Sequence, residues 1–201
     1  MHNEGTARER PAHVVVRSAA VERDVRFGEV PLDERALRQA GEVAAALPRA
    51  SLHYLAPSER CEKTVRALRW DVVTVEPALR DMDMGRWAGR TLGEVAEGES
   101  DGLAAWTTDP EAAPHGGESV SQVCERVAVW LDGLPVDAGR VLAVAEQSVV
   151  RAAVVGALGM PRALFWRIDV PPLAAVHLTC RNGRWNLRMV VLSAVRNWEE
   201  T

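Results

Sequence analysis

Val141-Leu142-Ala143-Val144-Ala145-Glu146-Gln147-Ser148 leads directly into Val149-Val150-Arg151 and on to Leu158-Gly159. The five apolar residues have the length and character of a strand buried on both faces. Val149 to Leu158 reads as a helix that Gly159 closes. A strand running into a helix is the unit of an α/β fold, and the same alternation recurs upstream. His13-Val14-Val15-Val16-Arg17 is a β-branched run that reads as the first strand. Asp33 to Leu47 places Leu37, Ala40, Val43, Ala44 and Leu47 on one helical face, and Pro48 ends it. Leu52 to Leu55 is a second strand, Pro57-Ser58 opens a helix reaching Leu68, and Val72 to Val75 is a third strand.

Downstream of the third strand the pattern changes. Leu92 to Thr107 reads as short helical stretches interrupted at Gly98 and Gly102, an irregular cap within a segment 90–118 expected to cover the site. Ser119-Val120-Ser121-Gln122 has capping-box spacing and starts a helix carrying Val123, Val127, Trp130 and Leu131. Ala174 to Leu192 reads as a β-hairpin turning at Asn182-Gly183. These elements imply one domain over 1–201: an α/β fold with a mostly parallel sheet, helices on both faces and a C-terminal hairpin. Residues 1–11 are expected to be flexible.

Composition narrows the function. With 201 residues, 47% hydrophobic and 26% charged, the chain is long enough for one sizeable core. The net charge of -4, with both signs interspersed, argues against a nucleic-acid partner, which needs a concentrated basic face. No apolar run reaches the roughly 18 residues of a membrane span. The polar stretch Met1 to Arg10 lacks a signal-peptide core, pointing to the cytoplasm. Cys61, Cys124 and Cys180 are too scattered for a zinc knuckle or a disulfide framework and read as buried thiols. No histidines and carboxylates have metal-site spacing, so no metal and no cofactor are expected. Lys63 is the sole lysine among many arginines, a bias pointing to a GC-rich bacterial genome.

Ligands of such sheets bind beyond the carboxyl ends of the strands. Those ends carry Arg17-Ser18, then Arg60 in the helix after the second strand, Asp81 after the third, and Glu146-Gln147 after the fourth. Two guanidinium groups favour an anionic ligand, and two carboxylates can divide acid and base roles. Arg17 and Arg60 are therefore candidate anion ligands, with Gln147 beside them. Asp81 and Glu146 are candidate proton carriers, and Ser18 is a candidate nucleophile that would need a base. Equally, the arginines could be neutralised by Asp81 and Glu146 in a closed ionic network. His115, before Gly116-Gly117, is a candidate ligand contact or proton shuttle, and Trp106 in the cap a candidate substrate contact.

The order of segments resembles the histidine-phosphatase, or phosphoglycerate-mutase-like, superfamily. The family's Arg-His-Gly motif corresponds to Arg17-Ser18-Ala19, and its Pro-Leu-Thr element to Pro31-Leu32-Asp33. Its Ser-Pro-x-x-Arg helix corresponds to Ala56-Pro57-Ser58-Glu59-Arg60. Leu79 to Gly89 keeps the Gly-x-Trp-x-Gly pattern at Gly85, Trp87 and Gly89, and Gly116-Gly117-Glu118-Ser119 is intact. The closing Val-Ser-His-Gly motif becomes Val144-Ala145-Glu146-Gln147.

The resemblance implies the phosphoglycerate-mutase-like fold, an anion clamp at Arg17 and Arg60, and an acid–base carboxylate at Asp81. It also implies that the phosphoryl-carrying histidine has become Ser18 and the second histidine Glu146. A carboxylate there repels a phosphoryl group, at about 4 kcal/mol for unit charges about 4 Å apart and an effective dielectric near 20. The expectation is a repurposed acid–base enzyme without phosphohistidine chemistry, acting on a small anionic metabolite by elimination, isomerisation, cyclisation or hydrolysis. By analogy with divergent relatives, a bacterial specialised-metabolite pathway is its expected setting. The alternatives are a non-catalytic pseudo-phosphatase that binds a metabolite or protein, and a residual phosphatase. The oligomeric state, monomer or homo-oligomer, is left open.

Overall fold

The computed structural model describes residues 10–17, 26–28, 31–135, 138–181 and 184–191, with backbone alone for 10–17, 181 and 189–191. Six strands form one sheet: β1 (Arg10–Arg17), β2 (Leu52–Leu55), β3 (Thr74–Val75), β4 (Val141–Ala145), β5 (Ala174–Arg181) and β6 (Arg184–Val191). Their order is β3-β2-β4-β1-β5-β6. The first four run parallel, β5 lies antiparallel to β1, and β6 returns antiparallel to β5. Every residue of β4 is buried, as its unbroken apolar run requires.

The helices are α1 (Glu34–Val43), α2 (Glu59–Leu68), α3 (Leu92–Gly98), α4 (Ser100–Thr108), α5 (Val120–Gly133) and α6 (Gln147–Leu158). α1 packs on α2, and α5 on α6. Local chemistry fixes their starts. Asp33 caps α1 through Ala36 N at 2.7 Å, Ser58 caps α2, and Ser119 with Gln122 forms the expected capping box on α5. Gly159 ends α6 at φ +60, the left-handed conformation that glycine enters without strain. Among the described residues no helix is long and apolar enough to cross a membrane.

Several expectations are corrected. The third strand has only two paired residues because it is the sheet edge, where Val72 is 82% exposed and outside the ladder. α6 begins two residues before Val149, with Glu146 as its N-cap. The helical stretches after Leu92 are the regular helices α3 and α4, which meet at Glu99 just past Gly98, and at Gly102 there is no interruption. Gly102 lies inside α4, where an added Cβ would press on Pro114 and the Trp87 ring. Arg10 and Pro11 belong to β1, which starts before the expected His13. Residues 1–9 and the turn at Asn182-Gly183 lie outside the described residues.

Candidate active site

Parallel pairing brings the ends of β1, β2 and β4 level, with Arg17 beside Ala145 and Leu55 beside Val144. The carboxyl ends of these strands therefore lie together at one end of the sheet. On α2 the buried stripe is Arg60, Cys61, Thr64, Val65 and Leu68, so helical periodicity places Arg60 on the inward face. Its partner there is Glu146, delivered by the β4–α6 junction. Arg60 Nε donates to Glu146 Oε1 at 3.2 Å, and its terminal amine lies 3.0 Å from Oε2. This is a two-pronged ion pair, with the side chains 7% and 4% exposed. Ser58 Oγ donates to the same Oε1 at 2.9 Å, and Cys61 Sγ lies 3.5 Å from it. Burial and the nearby Glu146 charge push the Cys61 thiol well above its ordinary value, so it stays a thiol.

Asp81 completes the cluster. Its Oδ1 accepts from Ser148 Oγ and from Met82 N at 2.8 Å, while Oδ2 stands 3.8 Å from Arg60. Desolvation in the crevice, then the Glu146 charge, raise its pKa to about 6, against the opposing pull of Ser148, Met82 and Arg60. The side chain is nonetheless 36% exposed toward the opening, so it can exchange protons with a bound molecule.

A second layer holds Asp81 in place. Arg126 donates to the carbonyls of Ala78 and Arg80 at 2.7 and 3.0 Å and pairs with Glu118. Glu118 N donates to Asp83 O at 2.8 Å, and Arg86 N donates to His115 O at 3.0 Å. The two loops approach so closely that a Cβ on Gly117 would lie 2.0 Å from Asp83 O, and one on Gly85 2.2 Å from His115 O.

The open space before these groups is a crevice of about 410 Å³. Five of the eight residues singled out by sequence line it: Arg60, Asp81, Glu146, Gln147 and Trp106. Arg17 is described only as backbone at the end of β1, and Ser18 lies outside the described residues. His115 is corrected: it is 1% exposed, behind the wall against Trp87 and Trp106, and not among the crevice residues. Its Nδ1 accepts from Gly117 N at 3.0 Å, so its work is to lock the loop beside Asp83. Desolvation lowers its pKa and favours the neutral ring.

Sequence reasoning missed Ser148, Arg151 and Trp166. Ser148 adjoins Glu146-Gln147, and the helical turn beginning there could have pointed to it. Trp166 belongs to a short helical turn over 162–167 with no motif to mark it. Among the described residues no group of three His, Cys, Asp or Glu side chains could hold a metal.

A family model for the histidine phosphatase superfamily (branch 1) matches residues 15–192, nearly the whole chain and every element of this site. The chain belongs to the histidine phosphatase superfamily. Solved histidine phosphatases share its fold. An alpha-ribazole phosphatase from Shigella flexneri superposes with a TM-score of 0.80 at 22% identity, covering 92% of this chain and 100% of that one. A mycobacterial glucosyl-3-phosphoglycerate phosphatase gives 0.75 at 22% identity, covering 92% and 99%. In sequence, the chain is 36% identical to the bifunctional protein Rv2228c of Mycobacterium tuberculosis over 107 residues. That match takes in 50% of this chain and 29% of the relative, so the chain spans under a third of that protein.

Proposed function

We propose that this histidine phosphatase superfamily member is an acid–base enzyme acting on a small anionic molecule, with Asp81 as the proton carrier and without a phosphohistidine. The observation that carries this reading is the pair of carboxylates in one crevice with separated environments. Glu146 is bound in the fork of Arg60, while Asp81 is raised to about 6 and faces the opening. Such a carboxyl group can give or take a proton near neutral pH. Glu146 also fills the guanidinium fork that a phosphoryl group would otherwise use, and adds a negative charge that opposes one. Arg26 and Arg151 bring further positive charge to the crevice wall. The chemistry within reach is proton transfer: elimination, isomerisation, cyclisation or hydrolysis. One observation favours a second reading, a binding protein without turnover: the Arg60–Glu146 pair is internally satisfied and needs no ligand to neutralise it.

The test is incubation with panels of small phosphorylated and carboxylated metabolites, followed by mass spectrometry and a phosphate assay. The expected result is a converted product without phosphate release. Conversion should fall by about a hundredfold or more in Asp81→Asn, the scale of a lost acid–base group. Phosphate release that disappears in Ser18→Ala would overturn the reading in favour of a phosphatase. Tight binding of a panel member without any product would establish the binding protein instead.

A further inference from the structure

Part of the crevice wall is aromatic, and its rings are joined by ring contacts and a hydrogen bond. Trp106 of α4 and Trp166 of the 162–167 turn both line the opening, with ring centroids 4.1 Å apart and planes inclined by 52°. Trp166 Nε1 donates to the Trp106 carbonyl at 3.2 Å, tying two distant segments together. Phe27, also on the wall, meets Trp106 edge-on at 5.6 Å and 87°. The Arg151 guanidinium lies 5.4 Å from the Trp166 ring, and its Nε is anchored to Ile168 O at 2.7 Å. Trp166 remains only half-buried, so indole surface stays toward the crevice with its orientation fixed by a hydrogen bond and a neighbouring cation.

Fixed indole surface beside a guanidinium suits one kind of ligand. A planar ring stacks on it with little further ordering, and an anionic substituent on that ring comes near Arg151. The space is at the lower end of the range for small-molecule sites, enough for one or two fused rings. We propose that the molecule bound here carries a planar aromatic ring bearing an anionic group, stacked against Trp166, with the edge of Trp106 beside it. The proposal rests on reading the crevice as a small-molecule site and names the class of molecule.

The experiment compares naphthalene-2-carboxylate with its saturated counterpart, decahydronaphthalene-2-carboxylate, by titration calorimetry on the full chain. The planar acid should bind roughly tenfold more tightly, the scale of a favourable aromatic contact beyond area alone. Trp166→Leu should erase that preference and Trp166→Phe should keep most of it. In the wild type, the Trp106 and Trp166 indole N–H signals should shift with the planar acid and move much less with the saturated one, a readout independent of whether the leucine variant folds. Equal affinities, no binding of either acid, or a preference surviving Trp166→Leu would overturn the proposal. Its failure is separable from that of the acid–base reading. A preference without turnover sinks only the chemistry, and Asp81-dependent turnover with equal affinities sinks only the stacking.

Discussion

Replacing Glu146 by Ala removes the counter-charge from a guanidinium group that has almost no solvent to fall back on. Arg60 is held at 3.2 and 3.0 Å by Glu146, and its other carboxylate neighbour, Asp81, stands at 3.8 Å. Breaking a buried pair from one side costs about 3–5 kcal/mol, because the surviving charge stays buried. In a chain of this size each kcal/mol lowers Tm by about 2–4 °C, so a fall of roughly 6–20 °C follows. Ser58 loses its acceptor as well, which places the change in the upper part of that range. Removing both charges together in Arg60→Met/Glu146→Leu should cost less than Glu146→Ala alone, since no charge is stranded. The assay is thermal and urea unfolding followed by circular dichroism for the wild type, both single variants and the double. A Glu146→Ala Tm within about 2 °C of wild type, or a double variant equal to the sum of the singles, would refute the ion pair as described.

Carboxyl carbon NMR of Asp81 should show a titration midpoint near 6, moving down in Glu146→Gln as the repelling charge is lost. Because the folded state holds this proton more tightly than the unfolded chain, the stability it contributes is full below pH 3.8 and lost as pH rises through about 6. Asp81→Asn should therefore flatten the stability profile across that window, and a midpoint in the ordinary aspartate range would refute the account. Gly117→Ala drives a Cβ into Asp83 O and should cost about 1–3 kcal/mol in urea unfolding, whereas Gly133→Ala at the end of α5 meets nothing and should change stability by less than about 1 kcal/mol. Equal effects of the two would show that the 83–87 and 115–118 loops are not closely packed.

What the sequence made plain was whatever local chemistry decides. The Val141–Ala145 run, the Ser119 capping box and the Gly159 stop each became the element they announced, at the same residues or within two. Arg60, Asp81 and Glu146 could be brought together from topology alone, because parallel strands deliver their ends to one side. What could not be read was partnership. Whether Arg60 would await an anion or close on Glu146 depends on a distance across 86 residues, and no spacing encodes it. His115 misled for the same reason. A histidine before two glycines looks like a loop ligand, but Gly117 is there so that two backbones can touch, Gly116 turns the chain at φ +78, and the ring is buried in the process. Val72 and Val75 have strand-like side chains, yet among the described residues β3 is the edge strand and nothing pairs with its outer side.

Glu146 is the last residue before α6, held in extended conformation at φ -78 and ψ 166 where a wholly buried strand becomes a helix. Its backbone position is set by β4 pairing with two neighbours and by the packed helix that follows, while its side chain ties the junction to α2 through Arg60 and Ser58. The scaffold thus carries the side chain at 146 to a spot in front of Arg60. The position behaves as a socket wired into the scaffold. A single codon there can rewrite the charge and proton inventory of the crevice while the sheet around it stays as it was.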